Sequence, residues 1–341
     1  MSNNNYTTNK VNYKEDKNGI LKDINKKGND NNWKERKKDN LNLAESYKRL
    51  GDKKYYRVVD CSTFLEFGVT KASGLKLLNA NFCKVRLCPM CAWRRSLKIF
   101  GQVSKVMDQV EETYDYRYIF LTLTVKNCYS EDLKDILDLM TESFSKLSRR
   151  KAFKQAVKGY FRSLEITYNK EDDTYHPHFH LILAVNKNYF TDDKVYLSQD
   201  NWTRLWKESL KVDYTPIVDV RRVKSKDKNF SKVIAETAKY TVKSEDFLIK
   251  KENGKINESL TDEVVLTLDK ALHKKRLVSF GFLFKEIHKQ LRLDDVENGD
   301  LKNTNNEDEL REDLTDIILR YQWNIGIKNY KLIEILENKK D

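Results

Sequence analysis

Long apolar runs are missing from this 341-residue chain. None approaches the roughly 20 residues that a membrane-spanning helix needs, and the N-terminus lacks the apolar core of a signal peptide. Cysteine is scarce, five in all, which argues against a disulfide framework in a chain of this length. No internal repeat is evident. These absences leave a cytoplasmic protein as the expectation, with length enough for one large domain or two modest ones.

What is present is charge. Apolar residues make up 39% of the chain and charged residues 34%, with a net charge of +12. Such a balance points to a polyanionic partner, and with no spanning segment it favours nucleic acid over a membrane surface. Four basic runs could meet phosphates: Arg94/Arg95/Lys98, Arg149/Arg150/Lys151, Arg221/Arg222/Lys224 and Lys274/Lys275/Arg276. A basic run is also the ordinary make-up of a solvated face. Trp202 and Trp206, four apart, read as core.

Residues 1–52 are rich in Asn, Lys and Asp and poor in apolar side chains. They read as a disordered polar arm, because too little surface can be buried to offset the ordering entropy. A cysteine-containing subdomain is expected over 53–112, a central core over 113–250 and a helical accessory region over 251–341. Within the core, helical spacing covers Trp93–Thr113 and Asp132–Leu147, and strand alternation covers Tyr118–Val125 and Gly159–Tyr168. Turn-prone residues 169–174 join the latter to a further strand, forming an antiparallel hairpin. Trp202–Leu210 reads as a helix, Ile217–Val223 as a strand and Ser231–Phe247 as a helix, with Ser231 as its N-cap. Two more helices are expected at about 309–322 and 329–338. The order defines an α+β protein, a central antiparallel β-sheet centred on the hairpin, with helices packed on one face.

Three of the five histidines fall in His176-Pro177-His178-Phe179-His180. Side chains alternate along a strand, so His178 and His180 share one face while Phe179 takes the other. Two imidazoles on one face are a ready pair of divalent-metal ligands. Glu165, in the preceding strand, can stand beside them as a third ligand. A carboxylate in mid-strand needs a cation, either a metal or a neighbouring Lys or Arg. His176 shares the parity of the pair and is a candidate for its second shell. An N,N,O set suits Mg²⁺ or Mn²⁺ acting as a Lewis acid on a phosphate, and zinc also fits the ligand types.

A second cluster, Cys83-Lys-Val-Arg-Leu-Cys88-Pro-Met-Cys91, contains one Cys-x-x-Cys step, and Cys61 could complete a tetrahedral structural zinc site. Cys128 is the spare thiol. In the expected helix 231–247, Glu236, Tyr240 and Lys243 follow i, i+4, i+7 spacing and would share a face. A phenol of ordinary pKa about 10 needs help to attack at neutral pH. A neighbouring Lys243 would favour phenolate, and Glu236 could act as a base on water.

Taken together, Phe120–Val125, His178-Phe179-His180 and Glu236…Tyr240-Thr-Val-Lys243 resemble the motifs of rolling-circle plasmid replication initiators of Gram-positive bacteria, within the HUH endonuclease superfamily. The Cys83–Arg95 segment and Ser279-Phe280-Gly281 through Asp294-Asp295 resemble that family as well. The resemblance spans roughly residues 55–300, and the arm has no counterpart in it. It implies a ferredoxin/RRM-like palm carrying the metal. It implies that Tyr240 nicks the plasmid's double-strand origin through a 5′-phosphotyrosine intermediate, with Glu236 activating water at termination. The implied substrate is a single-stranded or hairpin nick site, and host helicase and polymerase are the implied partners. A relaxase or transposase of the same superfamily, and a non-catalytic zinc-stabilised DNA-binding regulator, are the competing readings.

Overall fold

The computed structural model describes residues 18–24, 29–70, 74–223, 228–239, 241–304 and 317–337. In chain order they form α1 (Trp33–Arg49), α2 (Lys54–Asp60), β1 (Phe64–Thr70), β2 (Gly74–Ala80), α3 (Pro89–Thr113), β3 (Arg117–Thr124), α4 (Leu133–Arg149), α5 (Lys151–Ala156), β4 (Val157–Asn169) and β5 (Thr174–Val185). There follow α6 (Gln199–Leu210), β6 (Val218–Val223), α7 (Lys228–Thr237), α8 (Glu258–Ala271), β7 (Val278–Phe282), α9 (Leu283–Gln290), β8 (Ile317–Asn324) and β9 (Asn329–Glu337). The protein is α+β, and among the described residues every strand pairing is antiparallel. Among the described residues no helix is long and apolar enough to cross a membrane.

The chain divides into two compact units, one of residues 92–300 and one of residues 1–91 with 301–341. In the larger unit a five-stranded sheet has the order β6-β3-β5-β4-β7. The hairpin β4–β5 thus lies at its centre, as the alternating sequence led us to expect. β5 is buried along nearly its whole length, and from Leu181 onward both of its faces are apolar. Ile182 and Ala184 pack with Val103, Val106 and Val110 of α3 and with Ile234 of α7. On the opposite face Phe179 meets Phe144 of α4 and Trp206 of α6, at ring-centroid distances of 5.9 and 6.4 Å. Helices therefore cover both faces, not one. Phe179, Leu181 and Leu183 leave no polar face to be solvated, and both Trp202 and Trp206 are core residues.

The larger unit runs past the expected limit at residue 250, because β7 adds to the edge of the sheet beside β4. Gly281 of β7 lies against the Tyr160 ring of β4, where a Cβ would collide. The expected helix 231–247 is also shorter: α7 begins upstream of Ser231 and ends at Thr237. Glu236 and Lys243 therefore do not share a helical face.

In the smaller unit a four-stranded sheet has the order β2-β1-β8-β9. Residues 317–324 and 329–337, expected within helices, are strands. Leu319, Tyr321 and Trp323 are buried at every second position, which is the strand period. Residues 309–316 lie outside the described residues. Residues 33–49, expected within a disordered arm, form α1. Its buried residues are Trp33, Lys37, Asn40, Leu43, Ala44, Ser46 and Tyr47, and the three polar ones hid the helix from a count of apolar residues.

Candidate active site

Strand register assembles the site in the larger unit. Glu165 of β4 stands opposite His178 of β5, and Thr122 of β3 stands opposite His180. All four residues therefore sit on one face of three adjacent strands. The apolar residues of β5 beyond His180 anchor this patch rigidly in the core.

The atoms converge. His178 Nε2 and His180 Nε2 are 3.1 Å apart, and Glu165 Oε2 lies 3.0 Å from His180 Nε2 and 3.5 Å from His178 Nε2. A cation about 2.1 Å from each of three ligands would hold them about 3.0 Å apart in octahedral geometry and about 3.4 Å in tetrahedral geometry. The observed spacings fit that range. Residues outside the trio set the tautomers. His178 Nδ1 is 3.2 Å from the His176 carbonyl oxygen, which can only accept, so Nδ1 carries the proton. His180 Nδ1 is 3.2 Å from the Thr122 hydroxyl, which can accept in the same way. Both Nε2 atoms are then lone-pair donors aimed at a carboxylate oxygen. Three converging electron-pair donors in a buried site call for a cation.

Burial pushes the Glu165 carboxyl up, and hydrogen bonds from His178 and His180 outweigh it and hold the group well below the usual carboxylate range where their Nε2 atoms carry protons; a bound cation would take the place of those protons. Lys243 Nζ lies 3.6 Å from Glu165 Oε1, so this lysine does reach the site, from a loop and not from a helix. His176 stacks on His178 at 5.1 Å, and burial followed by the neighbouring His178 charge lowers its pKa. Its firmest role is through its backbone carbonyl. Phe120 stacks on His180 at 5.3 Å and closes the inner wall.

Other expected residues lie elsewhere. Glu236, at the end of α7, pairs with Lys239 at 2.5 Å. Tyr240 lies outside the described residues, but the next residue is fixed: the Ile166 amide donates to the Thr241 carbonyl at 2.7 Å. Of the arginines expected to meet DNA, Arg94 is buried over the Trp93 ring. Arg95 donates to the Glu297 carbonyl, and Arg150 pairs with Glu208 at 2.6 Å. Arg149, Arg221 and Arg222 are exposed. Thr122 is the site residue the sequence did not single out. Its parity with Thr124 in β3 was legible, but its pairing with His180 needed the register.

In the smaller unit Cys61, Cys83, Cys88 and Cys91 come together, all buried. The Sγ–Sγ distances Cys61–Cys91, Cys83–Cys91 and Cys61–Cys88 are each 3.6 Å. Four sulfurs about 2.3 Å from a tetrahedral zinc would be about 3.8 Å apart. Cys128, the spare, lies apart beside Tyr175, and its Sγ is 3.7 Å from that residue's carbonyl.

Fold and site together define an α+β protein whose central antiparallel sheet carries a two-histidine, one-carboxylate cluster. A family model described as "Replication protein" matches residues 74–331. "Protein rep" of Bacillus amyloliquefaciens is 42% identical, over 92% of this chain and 97% of the relative. "Protein rep" of Streptococcus pneumoniae serotype 2 (strain D39 / NCTC 7466) is 41% identical, over 93% and 96%. A Bacillus "Protein rep" is 43% identical, over 84% and 99%. No solved structure matches significantly. The chain belongs to this replication-protein family.

Proposed function

We propose that this chain initiates rolling-circle replication of a plasmid by nicking one strand at the double-strand origin. The observation that carries the reading is the convergence of His178 Nε2, His180 Nε2 and Glu165 Oε2 on one point beside β4. A divalent cation bound there, Mg²⁺ or Mn²⁺, would polarise a phosphoryl oxygen as a Lewis acid. The chain's own groups do the rest. The Tyr240 hydroxyl gives its proton to solvent as its oxygen attacks the scissile phosphorus, the P–O3′ bond breaks, and the departing oxygen takes a proton from solvent to become a 3′-OH that primes synthesis. Tyr240 keeps the 5′-phosphate. At termination Glu236 takes a proton from water, whose oxygen attacks the scissile phosphorus of the regenerated nick site and frees a new 3′-OH; that hydroxyl attacks the phosphotyrosine, which joins the strand and leaves Tyr240 as the phenol again. Lys243 steadies the Glu165 carboxylate in its ligand orientation.

Two observations support Tyr240 in this role. Thr241 is hydrogen-bonded to Ile166, the neighbour of Glu165, and Lys243 reaches Glu165 itself. Similarity to proteins named "Protein rep" supports the plasmid origin as substrate. We assign the site to the cytoplasm, with a single-stranded or extruded nick site as the form engaged and host helicase and polymerase acting after it. The exposed Arg149, Arg221 and Arg222 are the phosphate contacts we favour. A structural zinc at Cys61, Cys83, Cys88 and Cys91 completes the reading.

The test is incubation of the protein with a labelled single-stranded origin oligonucleotide and Mn²⁺. A covalent adduct is expected that Tyr240→Phe abolishes. No adduct with the native protein would leave a DNA-binding regulator, and an adduct with Tyr240→Phe would move the nucleophile elsewhere.

A further inference from the structure

Each of the four clustered sulfurs accepts an N–H. The Cys83 amide donates to Cys61 Sγ at 3.4 Å, the Val85 amide to Cys83 Sγ at 3.4 Å and the Lys84 amide to Cys91 Sγ at 3.2 Å. Those three donors are backbone groups of the loop that carries the cysteines. The fourth sulfur, Cys88, accepts from the Cys91 backbone and also from outside: the Asn40 side-chain amide of α1 donates to it at 3.3 Å. One turn earlier on the same helix face lies Lys37, an ammonium with 0% exposure. Its three described hydrogen bonds go to Asn40 Oδ1 at 3.0 Å, the Val59 carbonyl at 2.9 Å and the Cys61 carbonyl at 2.5 Å.

All three acceptors are neutral. An ammonium buried among neutral acceptors is costly unless an opposite charge lies nearby. Four thiolates around a divalent ion carry a net charge of −2, one bond network away from Lys37. Asn40 links the two, accepting from Lys37 through Oδ1 and donating to Cys88 through Nδ2.

We propose that α1 is the outer shell of the tetrathiolate metal site: Lys37 balances its charge and Asn40 supplies a side-chain N–H···S bond to Cys88. The two are positioning residues, and the inference rests on the zinc reading given above. The relation works both ways. The metal site makes burial of Lys37 tolerable, and so adds to the packing of Trp33, Leu43, Ala44 and Tyr47 in ordering α1. Metal binding and the docking of α1 are then one equilibrium.

The full-length protein loaded with Co²⁺ tests this, since cobalt reports ligand type and geometry by its thiolate charge-transfer and tetrahedral d–d bands. For Lys37→Met and Asn40→Ala, competition with a chelator should show metal affinity lowered about 10- to 100-fold. Asn40→Ala should also shift the charge-transfer band, which a merely structural residue would not do. In the native protein, removal of the metal should strip hydrogen-exchange protection from amides 33–49, a measurement that needs no variant to fold. If the native protein gives no tetrathiolate cobalt spectrum, the zinc reading itself fails. If the spectrum is present but both variants bind within about twofold of native and α1 stays protected after chelation, the outer-shell inference alone is overturned.

Discussion

Glu165 on β4 and His178 on β5 stand directly opposite each other across an antiparallel pair, with Glu165 Oε2 3.5 Å from His178 Nε2. His180, two residues on, closes the triangle at 3.0 Å. Strand register thus does the work of a loop-built metal site, and it does so on the central strands of the sheet.

Removing any of the three ligands should uncouple metal binding from folding. His178→Ala, His180→Ala and Glu165→Ala are expected to weaken Mn²⁺ binding by at least about 100-fold, measured by calorimetry, with the circular dichroism spectrum retained. Thr122→Val removes only the acceptor that holds the His180 tautomer and should cost about 10-fold. Native affinity in Thr122→Val would mean that the tautomer is fixed by other means.

Glu236→Ala separates the two halves of the proposed reaction. The first nick needs no water, so the variant should form the phosphotyrosine adduct at the native rate. Hydrolytic cleavage of the regenerated site, and with it release of the joined strand, should fall about 100-fold, within the range for loss of a general base. Unchanged release on a gel time course would remove Glu236 from the scheme.

Gly281→Ala should loosen the β4–β7 edge, because the added methyl meets the ring of Tyr160. We expect a loss of about 1–3 kcal/mol in urea unfolding, the usual range for overpacking. Combining it with Tyr160→Ala should restore part of the difference between backgrounds, and strictly additive effects would contradict the contact.

Stability should fall on the alkaline side. Burial raises the Cys128 thiol from its ordinary 9.0 to about 11, and burial likewise raises the Tyr175 phenol from 10.0 to about 12. Both groups hold their protons more tightly folded than unfolded. Their contribution is therefore complete below pH 9.0 and is lost as pH climbs through about 11 and about 12. Urea midpoints at neutral and alkaline pH should diverge, and Cys128→Ala should flatten the first part of that slope. An unchanged slope would mean that the thiol titrates alike in both states.

Much of this was legible in the sequence. The alternation of β3, β4 and β5 and the parity of His178 with His180 fix a sheet face, and Glu165 follows from its place in the hairpin. Where the sequence misled, the causes are physical. Lys37 and Asn40 occupy the buried face of α1, so a polar helix looked like a solvated arm. In β8 and β9, Ile, Leu and Glu recur at spacings that suit a helix as well as a strand, and only pairing with β1 decides between them. The helical pattern through Lys243 was real as a spacing, but α7 ends at Thr237. Lys243 reaches Glu165 through the following loop, a route that periodicity does not encode.

Crystals soaked in Mn²⁺ and measured near the manganese absorption edge probe the three-ligand site itself. One strong anomalous peak is expected about 2.0–2.3 Å from His178 Nε2, His180 Nε2 and Glu165 Oε2. A map without a peak at that point, or with its only strong peak on other residues, would contradict it.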